Sequence, residues 1–502
     1  MIHKIIDYWK RYYIEHVILF LVLITIVCLY LPRLNYNLVW VDEGFSIIVA
    51  TSPTLNDLIS NVTWDKSSSP PLYYVSLYIF SSIVGHNVFV YQLFSFIPFV
   101  LILIVSLTII KKEFGFYVSL TFMILSSFLF SSIVYVTEIR AYEWAAFFVL
   151  MSFLYMYKIL NEPKTSNYVL FMIFSILAAY NHYYACMAVG LLYFVLIANS
   201  VLVNKTERKK IFFISVITAV FYAPWILYCI SGMLKTVNGY WLTYIPPVSD
   251  CLTFLFANEY GIVFCVICLV CSVLVIKEHA AIDIWKKKIE ITPIGTWVFG
   301  GVTAIIGSIT IGLIVCNLMH PVMVLRYLYP VSIIAWLLFS YCIYNWLKNV
   351  KTKTIMAVII VTILLFTTVP QCLHIVELEE RWDNISHSSI ESMSCITDED
   401  IVLTDEYWVT NSYFQSYYPN VTLIHVNRAQ IPTIDNDHHY YIMINGIISQ
   451  TTVKKQLLDQ GYTVKTVKEY MLLGTGYKHQ IKLGDLQYQY FALYEICPVD
   501  SG

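Results

Sequence analysis

Residues 15–46 read EHVILFLVLITIVCLYLPRLNYNLVWVDEGFS, in which a long apolar run is followed, about ten residues later, by two adjacent carboxylates, Asp42 and Glu43. A run of about 20 mostly apolar residues is long enough to cross the hydrocarbon core of a bilayer. The stretch therefore predicts a membrane-spanning helix with an acidic pair close to one end.

The composition of the whole chain agrees with this reading. Of its 502 residues, 58% are hydrophobic and only 13% are charged, whereas about a quarter of the residues of soluble globular proteins are charged. The chain is therefore predicted to be a polytopic membrane protein whose main partner is the lipid bilayer. Its net charge of −2 gives no indication of nucleic acid binding. The amino terminus lacks a small-residue cleavage site and predicts a retained first span.

Eleven stretches are long and apolar enough to be spans, so the predicted fold class is mainly α and polytopic. These stretches are 15–33, 88–110, 116–136, 141–158, 166–181, 183–203, 211–231, 253–276, 293–316, 326–346 and 353–373. The segment 70–85 holds about 14 apolar residues, which favours an interfacial helix over a span.

The orientation follows from Lys and Arg, which concentrate in cytoplasmic connections. One set of alternate connections holds eighteen of them: Lys4, Lys10, Arg11, Lys111, Lys112, Lys158, Lys164, Lys205, Arg208, Lys209, Lys210, Lys277, Lys286, Lys287, Lys288, Lys348, Lys351 and Lys353. The opposite set, up to residue 373, holds five: Arg33, Lys66, Arg140, Lys235 and Arg326. This asymmetry predicts a cytoplasmic amino terminus and an extracytoplasmic carboxyl terminus.

The last part of the chain has a different character. After residue 373 the sequence becomes polar and acidic. Strand and helix patterns follow in the order strand, helix and strand, then strand, then helix, in 401–426, 438–446 and 451–464. We therefore predict a transmembrane domain, 1–375, and a small extracytoplasmic α/β domain, 380–502. Cys395 and Cys497 bracket the second domain and are candidates for a disulfide if it lies outside the cell.

With this orientation, the unusual polar residues all fall on the extracytoplasmic side. They are Asp42, Glu43 and Asp65 in the first outer loop, Glu138 and Arg140 between spans three and four, His182 between spans five and six, and Arg326 with Tyr327 at the start of span ten. Ion-coupled carriers usually keep an ionisable residue near the membrane centre, and the predicted spans have almost none away from their ends. A carrier is therefore disfavoured.

Acids, arginines and histidine at one membrane boundary suit a particular chemistry. A carboxylate can act as general base toward a hydroxyl or amine acceptor, and two or three carboxylates can hold a divalent cation. An arginine can bind a phosphate bidentately. A sugar linked to a lipid phosphate fits these groups, because its tail stays in the bilayer while its phosphate and anomeric carbon reach the boundary.

Five motifs resemble those of the GT-C integral-membrane glycosyltransferases, the superfamily of protein O-mannosyltransferases and aminoarabinose transferases. Each motif is short, but they occur in the expected order across about residues 30–335. They are LVWVDEGFS (38–46), SSPPLYYVSLYIFSSIVGHN (68–87), YVTEIRAYEW (135–144), YNHYYA (180–185) and VLRYLYPV (324–331).

This resemblance implies an inverting transferase that uses a polyprenyl-phosphate sugar on the outer membrane face, with a glycan, lipid or protein of the cell envelope as acceptor. It implies Asp42 as the catalytic base, Glu43 as its neighbour and Glu138 as a second catalytic acid. The implied substrate-binding residues are Asp65, Arg140, His182, Arg326 and Tyr327, with the two arginines at the lipid phosphate. Ser69 stands where family members often have His or an acid, which leaves the role of Asp65 open. Whether the site needs a metal is open as well.

Two other functions stay open at this stage. A flippase or polymerase of lipid-linked glycans would also handle such a donor, but it predicts charged groups deeper in the spans. A non-catalytic scaffold predicts that Asp42→Asn is tolerated. The residues also have structural explanations: the acidic pair can cap a helix, Glu138 and Arg140 can form an ion pair, and Arg326 can reach the headgroups.

Overall fold

The computed structural model shows a mainly helical chain with a small C-terminal sheet. The residues that it describes are 2–35, 39–63, 69–238, 244–256, 260–283, 288–348, 351–406, 408–418, 420–426, 431–435, 437–445, 450–475 and 488–499.

The helices follow one another along the chain with short connections. They are α1 (Ile2–Tyr30), α2 (Val41–Ala50), α3 (Leu55–Thr63), α4 (Leu72–Val84), α5 (Val88–Val105), α6 (Lys111–Phe114), α7 (Phe116–Phe128), α8 (Phe130–Tyr135), α9 (Tyr142–Asn161), α10 (Thr165–Asn181), α11 (Tyr183–Leu202), α12 (Arg208–Asn238), α13 (Val248–Phe256), α14 (Gly261–His279), α15 (Pro293–Leu318), α16 (Tyr329–Leu347) and α17 (Lys353–Glu391). A hairpin of β1 (Ala280–Asp283) and β2 (Lys288–Ile291) joins α14 to α15.

The predicted polytopic fold is confirmed. In the described part of the chain, nine helical segments are long and apolar enough to cross a membrane, and they correspond to nine of the eleven predicted spans. The remaining two predicted spans are shorter helices. One is α10, with 17 residues, and the other is α7 followed by α8, where Leu129 takes an extended conformation between them. The predicted interfacial helix is α4, with 13 residues.

Helix ends are set by local capping. The Asn87 side chain accepts a hydrogen bond from the Val90 N–H and so begins α5. Thr292 accepts from the Gly295 N–H at the start of α15, where Pro293 occupies the first turn. Both arrangements satisfy N–H groups that have no acceptor within their own helix.

The C-terminal region contains five strands and two helices: β3 (Ile401–Thr404), α18 (Trp408–Tyr417), β4 (Thr422–His425), β5 (Tyr440–Ile444), α19 (Gln450–Asp459), β6 (Tyr462–Thr475) and β7 (Tyr488–Pro498). The strand order is β4-β3-β5-β7-β6, with β3 parallel to β4 and β5. The predicted small α/β region is thus confirmed. Cys395 is a free thiol, so the candidate disulfide with Cys497 is not formed; Cys395 precedes the sheet, whereas Cys497 lies in β7 opposite Thr463 of β6.

The helix that carries the acidic pair, α2, lies between the membrane helices and the C-terminal region. It packs against α4 on one side and α18 on another. A single buried apolar cluster contains Ile47 of α2, Leu77 of α4, and Val409 and Phe414 of α18. Burial of apolar side chains is the main stabilising term in such contacts, so the C-terminal region helps to fix the position of α2. The predicted domain boundary, 375–380, falls inside α17 and stays a prediction.

Candidate active site

Asp42 forms an ion pair with an arginine from the other end of the sequence. The Nη2 group of Arg326 donates to Asp42 Oδ2 at 2.9 Å. The side chain of Asp42 is 25% exposed, whereas that of Arg326 is 5% exposed. The pair therefore joins a buried cation to a carboxylate that a substrate can reach.

Arg140 approaches the same carboxylate from the connection between α8 and α9. Its Nη2 lies 3.9 Å from Asp42 Oδ2. Its Nη1 donates to the main-chain carbonyl of Asp42 at 3.2 Å and to the hydroxyl of Tyr74 at 3.0 Å. Burial raises the pKa of Tyr74, so this hydroxyl stays protonated and acts as an uncharged acceptor. Two guanidinium groups thus flank Asp42.

Glu43 has a different environment from its neighbour. It is fully buried, and its two carboxylate oxygens accept hydrogen bonds from main-chain N–H groups. Oε1 accepts from Ile139 at 3.0 Å, and Oε2 accepts from Trp40 at 3.2 Å. The bond to Trp40 caps the start of α2, and the bond to Ile139 ties α2 to the Glu138–Arg140 connection. Glu43 therefore fixes two chain segments that carry the polar residues.

Trp40 contacts both Glu138, the second predicted catalytic acid, and Arg326. Its indole Nε1 donates to Glu138 Oε1 at 3.1 Å, and the Arg326 guanidinium carbon lies 5.1 Å from the centre of its ring system. Glu138 is fully buried. A cation over an indole face is attracted to the negative potential of the ring, so Trp40 holds Arg326 while it binds Glu138.

His182 stands between α10 and α11, next to the arginines. Its Nδ1 accepts from the Tyr184 N–H at 3.2 Å, and its ring contacts those of Tyr142 and Tyr327. Burial, together with the positive charges of Arg140 and Arg326, lowers the pKa of His182 to about 3. The imidazole is therefore neutral at physiological pH.

The structure brings together all but one of the predicted site residues. Asp42, Glu43, Glu138, Arg140, His182, Arg326 and Tyr327 form a connected cluster of polar and aromatic side chains. Asp65 lies outside the described residues. Within the described ranges, no three His, Cys, Asp or Glu side chains are grouped so that they could hold a metal ion.

Three further residues of the cluster were not predicted. They are Trp40, Tyr74 and Tyr142. Trp40 and Tyr142 lie inside motifs that carry charged residues, and Tyr74 follows the paired prolines. The signal that could have revealed them was their place beside these motifs, but the 40 tyrosines of the chain make any single aromatic position uninformative.

Comparison with known proteins places this geometry in a known fold. No protein-family model and no curated protein matches the sequence. Among solved structures, the chain is similar to ArnT from Cupriavidus metallidurans in its apo state, with a TM-score of 0.58 and 10% identity, over 95% of this chain and 97% of that one. The same enzyme bound to undecaprenyl phosphate gives a TM-score of 0.58, 11% identity and the same coverage. The chain thus shares the fold of ArnT, an aminoarabinose transferase, and the fold that the motif resemblance implied is confirmed.

Proposed function

We propose that this chain is a GT-C glycosyltransferase that moves a sugar from a polyprenyl-phosphate donor to a cell-envelope acceptor, which is a glycan, a lipid or a protein. The reaction inverts the anomeric carbon and occurs on the extracytoplasmic face, with the amino terminus in the cytoplasm. The fold supports this proposal, since ArnT, which has the same fold, has been solved with undecaprenyl phosphate bound.

The observation that carries the proposal is the contact between Asp42 and Arg326. Nη2 of Arg326 binds Asp42, while its Nε and Nη1 have no hydrogen-bond acceptor among the described residues. Buried N–H groups without an acceptor are costly, and a guanidinium is well matched to two phosphate oxygens. One arginine can therefore bind the donor phosphate and orient the base at the same time.

The mechanism follows from these positions. Asp42 accepts the proton of the acceptor hydroxyl or amine as that group attacks the anomeric carbon. The bond between this carbon and the phosphate oxygen breaks, and the electron pair leaves with the polyprenyl phosphate. Arg326 and Arg140 stabilise the negative charge that develops on the phosphate, as preorganised cations do in other transferases. Asp42 then releases its proton to water.

The other two predicted catalytic acids have a positioning role in this proposal. Glu43 and Glu138 are fully buried and accept hydrogen bonds from main-chain or indole N–H groups. Of the three acids, Asp42 alone combines partial exposure with a guanidinium partner. We therefore assign proton transfer to Asp42.

The rival functions have less support. A glycan flippase or polymerase predicts charged groups deep in the bundle, but in the described spans the Asp, Glu, Lys and Arg residues lie near helix ends. A scaffold gives no reason for a buried arginine with two N–H groups facing no acceptor.

The decisive experiment measures sugar transfer by purified protein in lipid, with a panel of radiolabelled undecaprenyl-phosphate sugars. Wild type is compared with Asp42→Asn, which keeps the side-chain shape and removes the base. Asp57→Asn is the matched control, because Asp57 lies in α3, within the same predicted outer loop as Asp42. Its side chain is exposed and accepts a hydrogen bond from Thr54.

We expect transfer of at least one sugar by wild type and by Asp57→Asn, and a loss of about 10²- to 10⁴-fold in Asp42→Asn, the usual contribution of a general base. Equal transfer by wild type and Asp42→Asn would show that Asp42 is not the base. Absence of transfer across the panel would favour the flippase or scaffold.

A further inference from the structure

An aromatic wall stands beside the arginine pair. The ring of His182 has its centre 5.5 Å from that of Tyr142, 5.5 Å from that of Tyr327 and 6.2 Å from that of Tyr184. We use the name aromatic wall for these four residues. Rings at these separations are in contact with one another, so the wall is a continuous surface rather than four separate side chains.

The wall carries hydrogen-bonding groups that the protein does not use. Nδ1 of the neutral His182 accepts from the Tyr184 N–H, so the ring proton is on Nε2 and is available to an acceptor. The Tyr142 hydroxyl is buried and has no partner among the described residues, and the same is true of Asn181 Oδ1. Buried polar atoms without partners destabilise a fold, and two of them beside one histidine indicate a binding role.

The wall is continuous with the proposed phosphate site. The Arg326 guanidinium carbon lies 5.7 Å from the centre of the Tyr327 ring. The Tyr142 hydroxyl is close enough to Arg326 and Arg140 to interact with their charges. In a polyprenyl-phosphate sugar, the sugar ring is bonded directly to the phosphate. A phosphate held by Arg326 therefore places its sugar next to the wall.

Resting on the proposed function, we propose that the aromatic wall is the subsite for the sugar ring of the donor. The C–H face of the sugar packs on the rings of His182 and Tyr327. Its hydroxyls bind the Tyr142 hydroxyl, the Nε2–H of His182 and Asn181 Oδ1. The ligand class is a pyranose bonded through its anomeric oxygen to a lipid phosphate, and the wall recognises the sugar separately from the phosphate.

The test compares affinities for lipids that differ only in the sugar. The probes are undecaprenyl phosphate, undecaprenyl-phosphate mannose and undecaprenyl-phosphate 4-amino-4-deoxyarabinose, measured by competition with labelled undecaprenyl phosphate on protein in nanodiscs. The key variant is Tyr142→Phe, which keeps the ring and removes the hydroxyl. Tyr193→Phe is the matched control, because Tyr193 lies two and a half turns along α11 from Tyr184 and its hydroxyl is bonded to Thr218 of α12.

We expect wild type and Tyr193→Phe to bind at least one sugar lipid more tightly than undecaprenyl phosphate. In Tyr142→Phe, affinity for that sugar lipid falls about 3- to 10-fold, the effect of one hydrogen bond, while affinity for undecaprenyl phosphate is unchanged. The melting temperature of Tyr142→Phe does not fall, because the hydroxyl has no partner within the protein to lose. If the Tyr142 hydroxyl only stabilised the fold, the melting temperature of Tyr142→Phe would fall.

Three results would overturn the inference. Equal affinities of wild type for all three lipids would show that no sugar subsite exists, although the lipid phosphate site remains. An equal loss for all lipids in Tyr142→Phe would place the hydroxyl at the phosphate. Failure of wild type to bind any of the lipids would instead refute the proposed function, and with it this subsite.

Discussion

The variant Glu43→Gln tests whether Glu43 only holds neighbouring chain segments in place or also takes part in proton transfer with Asp42. The fully buried carboxylate accepts one N–H on each oxygen, from Ile139 at 3.0 Å and from Trp40 at 3.2 Å. Glutamine keeps one acceptor but turns an NH₂ group toward the other N–H. The variant loses a hydrogen bond to a charged group, worth about 1.5–3 kcal/mol, and leaves a buried donor unsatisfied at about 1–3 kcal/mol.

These two contributions overlap, because the cost of a broken buried hydrogen bond already includes part of the penalty of the unsatisfied donor, so the net destabilisation is about 2–4 kcal/mol. At about 2 °C per kcal/mol for a large chain, the melting temperature falls by about 4–8 °C. The assay is thermal unfolding in nanodiscs followed by tryptophan fluorescence. Glu162→Gln is the control, because the side chain of Glu162 is 63% exposed and its partner Lys164 is exposed as well; we expect no measurable change.

Sugar transfer is measured on the same samples, well below the melting temperature. If Glu43 only positions α2 and the Glu138–Arg140 connection, Glu43→Gln lowers the rate of transfer by no more than about 10-fold. This decrease is much smaller than the one expected when a general base is removed. A variant that melts like wild type but loses as much transfer as Asp42→Asn would refute this reasoning, because Glu43 would then take part in proton transfer.

Three further predictions follow from the contacts of the cluster. Arg326→Lys should weaken binding of undecaprenyl phosphate by about 10- to 100-fold, because lysine cannot hold Asp42 and offer two further N–H groups; an unchanged Kd would contradict this. Trp40→Phe should lower the melting temperature about twice as much as Trp144→Phe, since Trp40 donates to the Glu138 carboxylate and Trp144 to the carbonyl of Phe94; equal shifts would contradict this. For His182, the folded pKa of about 3 lies below the unfolded value of about 6.5, so the unfolded chain binds the extra proton between these values and stability falls as the pH falls. His182→Gln should therefore lose less melting temperature than wild type between pH 7.5 and pH 5, and an identical loss would show that this histidine is not buried in its neutral form.

The sequence predicted that the site residues share one end of the helix bundle, but not which contacts they make there. Asp42 and Arg326 are 284 residues apart, but each flanks a span at the same side of the bundle, so span counting brings them to one boundary. Lateral contacts depend on how the helices pack, which hydropathy does not encode. The partner of Glu43 at Ile139 is a main-chain N–H, a group that nearly every residue has, so no residue type could signal it.

In the C-terminal region, the sequence predicted the first three strands and both helices, but it did not predict the long antiparallel pair of β6 and β7. In β6, Lys465 and Lys468 are three residues apart and therefore break the period of two expected of a strand. Lys465 is also largely exposed, so the first half of this edge strand resembles a loop in sequence. The sequence also predicted that the last span ends at residue 373. The polar stretch beyond it continues α17 to Glu391, since helix-forming residues do not need to be apolar to prolong a helix.

The length of α17 makes the fold sensitive to spacing. Its 39 residues, with Pro370 in the interior, have a summed rise of about 58 Å at 1.5 Å per residue. Inserting one residue beyond the membrane would turn everything that follows by about 100° and swing α18 away from α2. Inserting seven residues would nearly restore the facing but would lift the sheet by about 10 Å. The length of α17 therefore sets both the distance and the rotation of the C-terminal sheet relative to the helix bundle. A change in either would separate α18 from α2, the helix that carries Asp42.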